Sequence, residues 1–242
     1  MELRQTVMVI ADISGYTKFI SLHRVSLIHA EVIITDLLSV VTQSAQFPLK
    51  LNRLEGDAAF LYCDELGEDL DLAVADIAKQ IEAMMSAFAI KHRDLLDRSV
   101  GGCVCDACQH VEVLRLKAFA HLGEVVFKEV NNFTELGGEA PIIIHRLTKN
   151  SVQSNEYVLV TEAFAKHLDQ PIYPHQQPGR DDYDSLGSIP YVVYYPQPRD
   201  LSVPKVARLS RLTGILEAFR LFWRGLTARP SRRARPFRNL PS

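Results

Sequence analysis

Two acids in this chain stand where a carboxylate can do chemistry. Asp12 ends an apolar run, residues 6–12, just ahead of Ser14-Gly15, and Asp57 lies in Glu55-Gly56-Asp57 between two strand-like runs. If the first run lies in a sheet beside the second pair, both carboxylates reach one edge. Two carboxylates held close in a low-dielectric place repel each other unless one is protonated or a cation bridges them. A hard divalent cation such as Mg2+ takes one or two carboxylates and leaves its other positions to water and phosphate oxygens. The same acids also suit local work, Asp12 as a helix cap and Asp57 as a turn residue. On spacing alone both readings stand.

Sulfur offers a second chemistry. Cys103, Cys105 and Cys108 put three thiols within six residues, and Cys63 or His110 could complete a tetrahedral zinc site. An iron–sulfur cluster, a redox-sensing disulfide and three plain reduced thiols are the other readings of that spacing. The histidines form no i, i+4 pair of metal-binding type. His121, close before Gly123, and His145, beside Arg146, are the two placed to line a site.

The elements that would carry these residues follow from periodicity. Residues 6–12 read as a buried strand with a turn after it, and residues 17–44 as two helices with a break near 23–26. Residues 49–54 and 58–63 read as a hairpin with an acidic tip, and 69–96 as a long amphipathic helix. Strands are expected at 111–120 and 124–130, joined by a turn at 121–123. A turn-rich stretch at 131–138, a helix at 140–150, a strand at 157–161, a short helix to 168 and a final strand at 191–195 complete the series. The order βααββαββαβ predicts an α+β fold, an antiparallel sheet flanked by helices.

Composition bounds the function. The chain has 242 residues, 47% of them hydrophobic and 23% charged, which excludes a disordered, collagen-like or disulfide-dense secreted chain. No apolar run is long enough to span a bilayer, and no export signal precedes residue 6, so a cytoplasmic, reducing location is expected. The formal charge of −2 hides an asymmetry: residues 201–242 hold ten basic residues against one acid, and the first 200 hold 17 against 28. The expected organisation is a domain over 1–198 and, over 199–242, a proline-marked linker, a basic amphipathic helix and a disordered tail. The helix, at 205–226, carries an apolar stripe from Val206 through Phe219 and Trp223 to Leu226, suited to a partner helix, the acidic body or an anionic membrane surface. Nothing in the pattern points to dedicated nucleic-acid binding.

Ala11-Asp12-Ile13-Ser14-Gly15-Tyr16-Thr17 resembles the opening motif of the class III nucleotidyl cyclases, and Arg53-Leu54-Glu55-Gly56-Asp57 resembles their second motif. The segment from Lys117 to Val125 is similar to the family's next strand and turn, and that from Phe133 to Arg146 to its purine-reading stretch and following helix. The similarity covers most of residues 5–196. More narrowly, the Glu-Gly-Asp-Ala hairpin, the cysteine cluster and His145-Arg146-Leu147 look like a bacterial branch of that superfamily.

The resemblance implies a ferredoxin-like class III cyclase fold that binds a nucleoside triphosphate with Mg2+ or Mn2+ and works as a homodimer. It places Asp12, Ile13 and Asp57 at the metal, Gly15, Tyr16 and Thr17 beside the phosphates, Arg53 and Glu135 at the base, and Arg146 at the transition state. Two features depart from the family pattern. The polar residue expected four positions before Arg146 is Ile142, and no lysine occurs in residues 183–195. The implied function is therefore a degenerate cyclase-like signalling domain with weak or no turnover. The alternatives are a noncatalytic regulatory module and a zinc or redox scaffold centred on the cysteines.

Overall fold

The structure is a computed structural model that describes residues 1–22, 27–101, 110–131 and 133–196. Its elements are β1 (Glu2–Ser14), α1 (Tyr16–Leu22), α2 (Leu27–Gln43), β2 (Lys50–Glu55), β3 (Ala58–Cys63), α3 (Leu70–Gly101), β4 (Arg115–Val130), β5 (Phe133–Gly137), α4 (Glu139–Leu147), β6 (Tyr157–Thr161), α5 (Glu162–Ala165), β7 (His175–Tyr183) and β8 (Gly187–Tyr195). The strands form one eight-stranded sheet in the order β2-β3-β1-β4-β6-β8-β7, with β5 added beside β4. Every pairing is antiparallel except β4 with β6, so the expected α+β class holds.

Both faces of the sheet are covered, because β1 alternates its side chains between two cores. Val7, Val9, Ala11 and Ile13 pack with α1, α2, α3 and Phe164 of α5. Met8 and Ile10 face the other way, toward Phe60, Phe119, Tyr157 and the buried side of α4 (Ala140, Ile144 and Leu147). Among the described residues the second face carries a single well-formed helix, α4, and it is the face on which Asp12 continues the Met8–Ile10 spacing.

Several expected boundaries are corrected. No turn divides β4 at 121–123: Leu122 and Gly123 pair with Val7 and Thr6 in a continuous ladder. Gly123 is there for packing, since a Cβ at that position would lie 2.7 Å from the Cβ of Ala140. The stretch expected to be turn-rich contains β5, which pairs with the end of β4 from Val126–Gly137 to Val130–Phe133. The helix expected at 140–150 is Glu139–Leu147, and the one expected to reach 168 ends at Ala165. β7 is an additional strand and β8 begins at Gly187 rather than 191. The break at 23–26, the cysteines 103, 105 and 108 and the segment 199–242, with its amphipathic helix, lie outside the described residues.

Candidate functional site

The β1–α1 connection positions the first acid. Gly15 sits at φ 89°, a conformation that favours glycine, and a Cβ there would also press within 2.9 Å of the Val113 carbonyl oxygen. The chain therefore leaves β1 sharply and enters α1, whose first turn closes with Phe19 N–H donating to the Gly15 carbonyl at 2.9 Å.

The second acid arrives on the β2–β3 hairpin, whose tip turns at Gly56 with φ 67°. The Ile13 amide donates to the main-chain oxygen of Asp57 at 3.0 Å, locking the tip to the end of β1. Register then sets out a row across four strands, with Ala58 opposite Asp12, Asp12 opposite Lys117, and Lys117 opposite Tyr157. Burial raises the Asp12 carboxyl to about 6, the charge of Asp57 adds to the rise, and Lys117 opposes it. Burial also raises Asp57. The sheet thus brings the two acids together, close enough for the charge of Asp57 to act on Asp12.

Ile13 itself is fully buried and its amide is engaged, which leaves its carbonyl as the only group it could offer a cation. The Tyr16 hydroxyl donates to Glu31 of α2 at 3.0 Å, and Thr17 is exposed at the start of α1. Burial, with Glu31 and then Asp57 adding to it, pushes the Tyr16 phenol up.

Arg53, Glu135 and Arg146 belong to a second locus on the same sheet face. Between the β2–β3 hairpin, the end of β5 and α4 lies an open cleft of about 520 Å³. Phe60 forms its floor, with the Arg53 guanidinium carbon 5.4 Å from the ring centroid and the His145 ring centroid 5.0 Å away. Arg53 Nη1 lies 3.5 Å from Glu135 Oε2, and Arg53 Nε donates to Glu55 Oε1 at 2.6 Å. His145 Nδ1 stands 3.6 Å from the other Glu55 oxygen, and burial holds the His145 ring below its ordinary range.

Arg146 and Lys149 line the same cleft, and among the described residues neither has an ion-pair partner. Lys149 is not singled out in the sequence, where the expected helix runs through it to 150; the helix ends at Leu147 and leaves Lys149 just beyond. Its amide donates to the Arg146 carbonyl at 2.9 Å, which turns it back toward the cleft. Ile142, one turn before Arg146, is 52% exposed and also lines the cleft.

The remaining sequence candidates lie elsewhere. His121 is buried in the middle of β4 and does not line this cleft. Cys63 is fully buried in the larger core, its thiol donates to the Glu65 carbonyl at 3.6 Å, and burial pushes that thiol up, away from the thiolate that zinc needs. Among the described residues no group of three or more His, Cys, Asp and Glu is placed to hold a metal ion, so the acids of this site are a pair. Also among the described residues, no helix is long and apolar enough to cross a membrane.

Comparison with solved structures gives the same architecture. The adenylyl cyclase CyaB from P. aeruginosa superposes with a TM-score of 0.60 at 12% identity, over 83% of this chain and 98% of that one. The guanylyl cyclase Cya2 gives 0.54 at 13% identity, over 84% and 98%. A class III adenylyl cyclase-like ATP-binding protein from Pseudomonas aeruginosa gives 0.52 at 17%, over 69% of this chain and 35% of that one. These likenesses establish a class III nucleotide cyclase fold. In sequence, the chain is 32% identical over 152 residues to the Mycobacterium tuberculosis protein named Uncharacterized protein Rv2561/Rv2562, covering 63% of this chain and 68% of that one. Residues 34–157, from α2 through the acidic hairpin and the cleft to the first residue of β6, match the family described as Protein of unknown function (DUF2652), and the chain belongs to that family.

Proposed function

We propose that this domain binds a nucleoside triphosphate together with Mg2+ or Mn2+ and turns it over weakly or not at all. The observation that carries the reading is the convergence of Asp12 and Asp57 at the end of β1, where burial and then the charge of Asp57 raise Asp12 to about 6. Hard oxygen donors under like-charge repulsion suit a hard divalent cation. When bound, such a cation favours ionisation of a nucleotide hydroxyl and neutralises phosphate oxygens.

The residues then divide the work. Asp12 and Asp57 hold the cation, with the Ile13 carbonyl available beside them. Gly15 provides the sharp exit that sets Tyr16 and Thr17 next to the phosphates. Arg53 and Glu135 present a donor and an acceptor to the edge of the base, and Arg146 meets the negative charge that builds on the reacting phosphate.

The cleft that holds Arg53 and Arg146 is not lined by either aspartate. This separation supports a homodimer in which the cleft of one copy meets the aspartates of the other. Ile142 supports weak chemistry, because it puts an apolar side chain where a donor would serve, and a lost donor costs about 10²–10³ in rate. The absence of lysine from residues 183–195 points the same way.

The test is to incubate the purified protein with Mn2+ and ATP or GTP, following both binding and cyclic nucleotide, with Asp12→Ala alongside. The expected result is Mn2+-dependent triphosphate binding that Asp12→Ala removes, with little or no product. A wild-type protein that binds neither triphosphate in the presence of Mn2+ would overturn the reading.

A further inference from the structure

A second cavity of about 400 Å³ opens on the far side of α4, between that helix, α5 and strands β4, β6 and β8. This is the size range of small-molecule sites. At its base the His121 Nδ1 and the Thr161 hydroxyl lie 2.9 Å apart, on residues that are only 6% and 2% exposed. That is the one side-chain hydrogen bond of either residue among those described. The other ring nitrogen, Nε2, makes no side-chain hydrogen bond among the described residues.

The walls are apolar: Ile143 of α4, Ala163 of α5, and Ile189 and Pro190 of β8. The rim carries Glu162 and Lys166, four residues apart and exposed. Only their main chains are bonded, Lys166 N–H to the Glu162 carbonyl at 3.1 Å, and no ion pair joins their side chains among the described residues. A ligand with one charge would meet one opposite and one like charge at that rim. A zwitterion meets two opposite charges, and an apolar body satisfies the walls.

We propose that this cavity binds a small zwitterion with an apolar body, an aliphatic or aromatic amino acid, its carboxylate at Lys166 and its ammonium at Glu162. α4 separates this cavity from the first cleft. Ile143 faces the new cavity, while Pro141, Ile142 and His145 on the opposite flank line the first. An occupant therefore bears on the helix that presents Arg146. This coupling rests on the nucleotide reading given above, whereas the binding itself does not.

The experiment titrates leucine and phenylalanine into the full-length protein, without metal or nucleotide, and follows the His121 imidazole by nuclear magnetic resonance. A saturable shift with Kd at or below about 1 mM is expected. 4-Methylpentanoate and 3-methylbutylamine, each lacking one of leucine's charges, should bind about tenfold or more weakly, as should leucine to Lys166→Glu. Ala163→Trp, which fills the cavity, should abolish the shift while circular dichroism stays that of the wild type. If it does not fold, the exposed Lys166→Glu variant still decides. The proposal is overturned if no apolar amino acid gives a saturable shift, if the single-charge analogues bind as well as leucine, or if Lys166→Glu has no effect. Because nucleotide and metal are absent, such a failure leaves the Asp12–Asp57 reading untouched, and a failure of that reading leaves this one standing.

Discussion

Four residues apart on one face of β4, about 13 Å along the strand, a half-buried and a buried ionisable region have been treated differently by the fold. At one, Asp12 faces Lys117 and is raised to about 6 by burial and then by Asp57. At the other, His121 pairs with Met8 in the ladder and burial lowers it to about 4. Loss of water penalises the charged form in both places. What differs is the company. His121 has a hydroxyl partner that suits a neutral ring, and so it is at rest. Asp12 has a second carboxylate, Asp57, whose charge adds to the rise, and Lys117, which opposes it. The contrast teaches that the acid answers to a neighbouring like charge as well as to burial, whereas the histidine answers to burial alone.

The comparison depends first on the seam that both regions share with α4. Gly123→Val would drive a side chain into Ala140 and the His121 ring, and should cost about 3 kcal/mol or more in urea unfolding. Stability near that of the wild type would show that α4 is not seated there.

Titration breaks the comparison more finely, each pKa unit being worth about 1.4 kcal/mol. The folded pKa of His121 lies below its ordinary value of 6.5, so its contribution is whole above pH 6.5 and is lost as pH falls toward 4. That of Asp12 lies above 3.8, so its contribution is whole below pH 3.8 and is lost as pH rises through about 6. In the wild type the two slopes offset each other between pH 4 and 6. Asp12→Asn should unmask the histidine, giving a loss of about 3 kcal/mol from pH 6.5 to 4 in denaturant melts. The same variant should be more stable than wild type by about 2–3 kcal/mol at pH 7 without metal, and should lose any Mn2+-dependent rise in Tm. Equal stability of the two proteins at pH 7 would mean that Asp12 carries no unrelieved charge.

The smallest effect belongs to the exposed pair in the first cleft. A double-mutant cycle on Arg53→Ala and Glu135→Ala should give less than about 1 kcal/mol, because both side chains are solvated. A larger coupling would make the pair architecture, with little freedom left to meet a base.

Legibility in the sequence followed how locally each feature is encoded. Asp12, Gly15 and the Gly56–Asp57 tip could be read because an apolar run, a glycine turn and an acid stand within a few residues of one another. The length of β4 could not, because Gly123 looks like a turn until the close approach of Ala140 explains it. β7 was hidden because residues 175–183 lack the alternation that marks a strand, both of its faces being largely exposed. Its Gly179 also reads as a break, yet a Cβ there would lie 2.3 Å from the Tyr191 ring, so the missing side chain makes room for that tyrosine. The second cavity needed β4, β6, β8, α4 and α5 together, and no stretch of sequence holds that information.

β7 also decides how the sheet ends. It is the outermost strand beyond β8, and it carries Pro178 at its centre with Arg180, Asp181 and Asp182 close behind. Proline withholds an amide hydrogen and clustered charge discourages a neighbour, so this rim makes a poor template for another strand. Growth by adding strands is therefore resisted beyond β7.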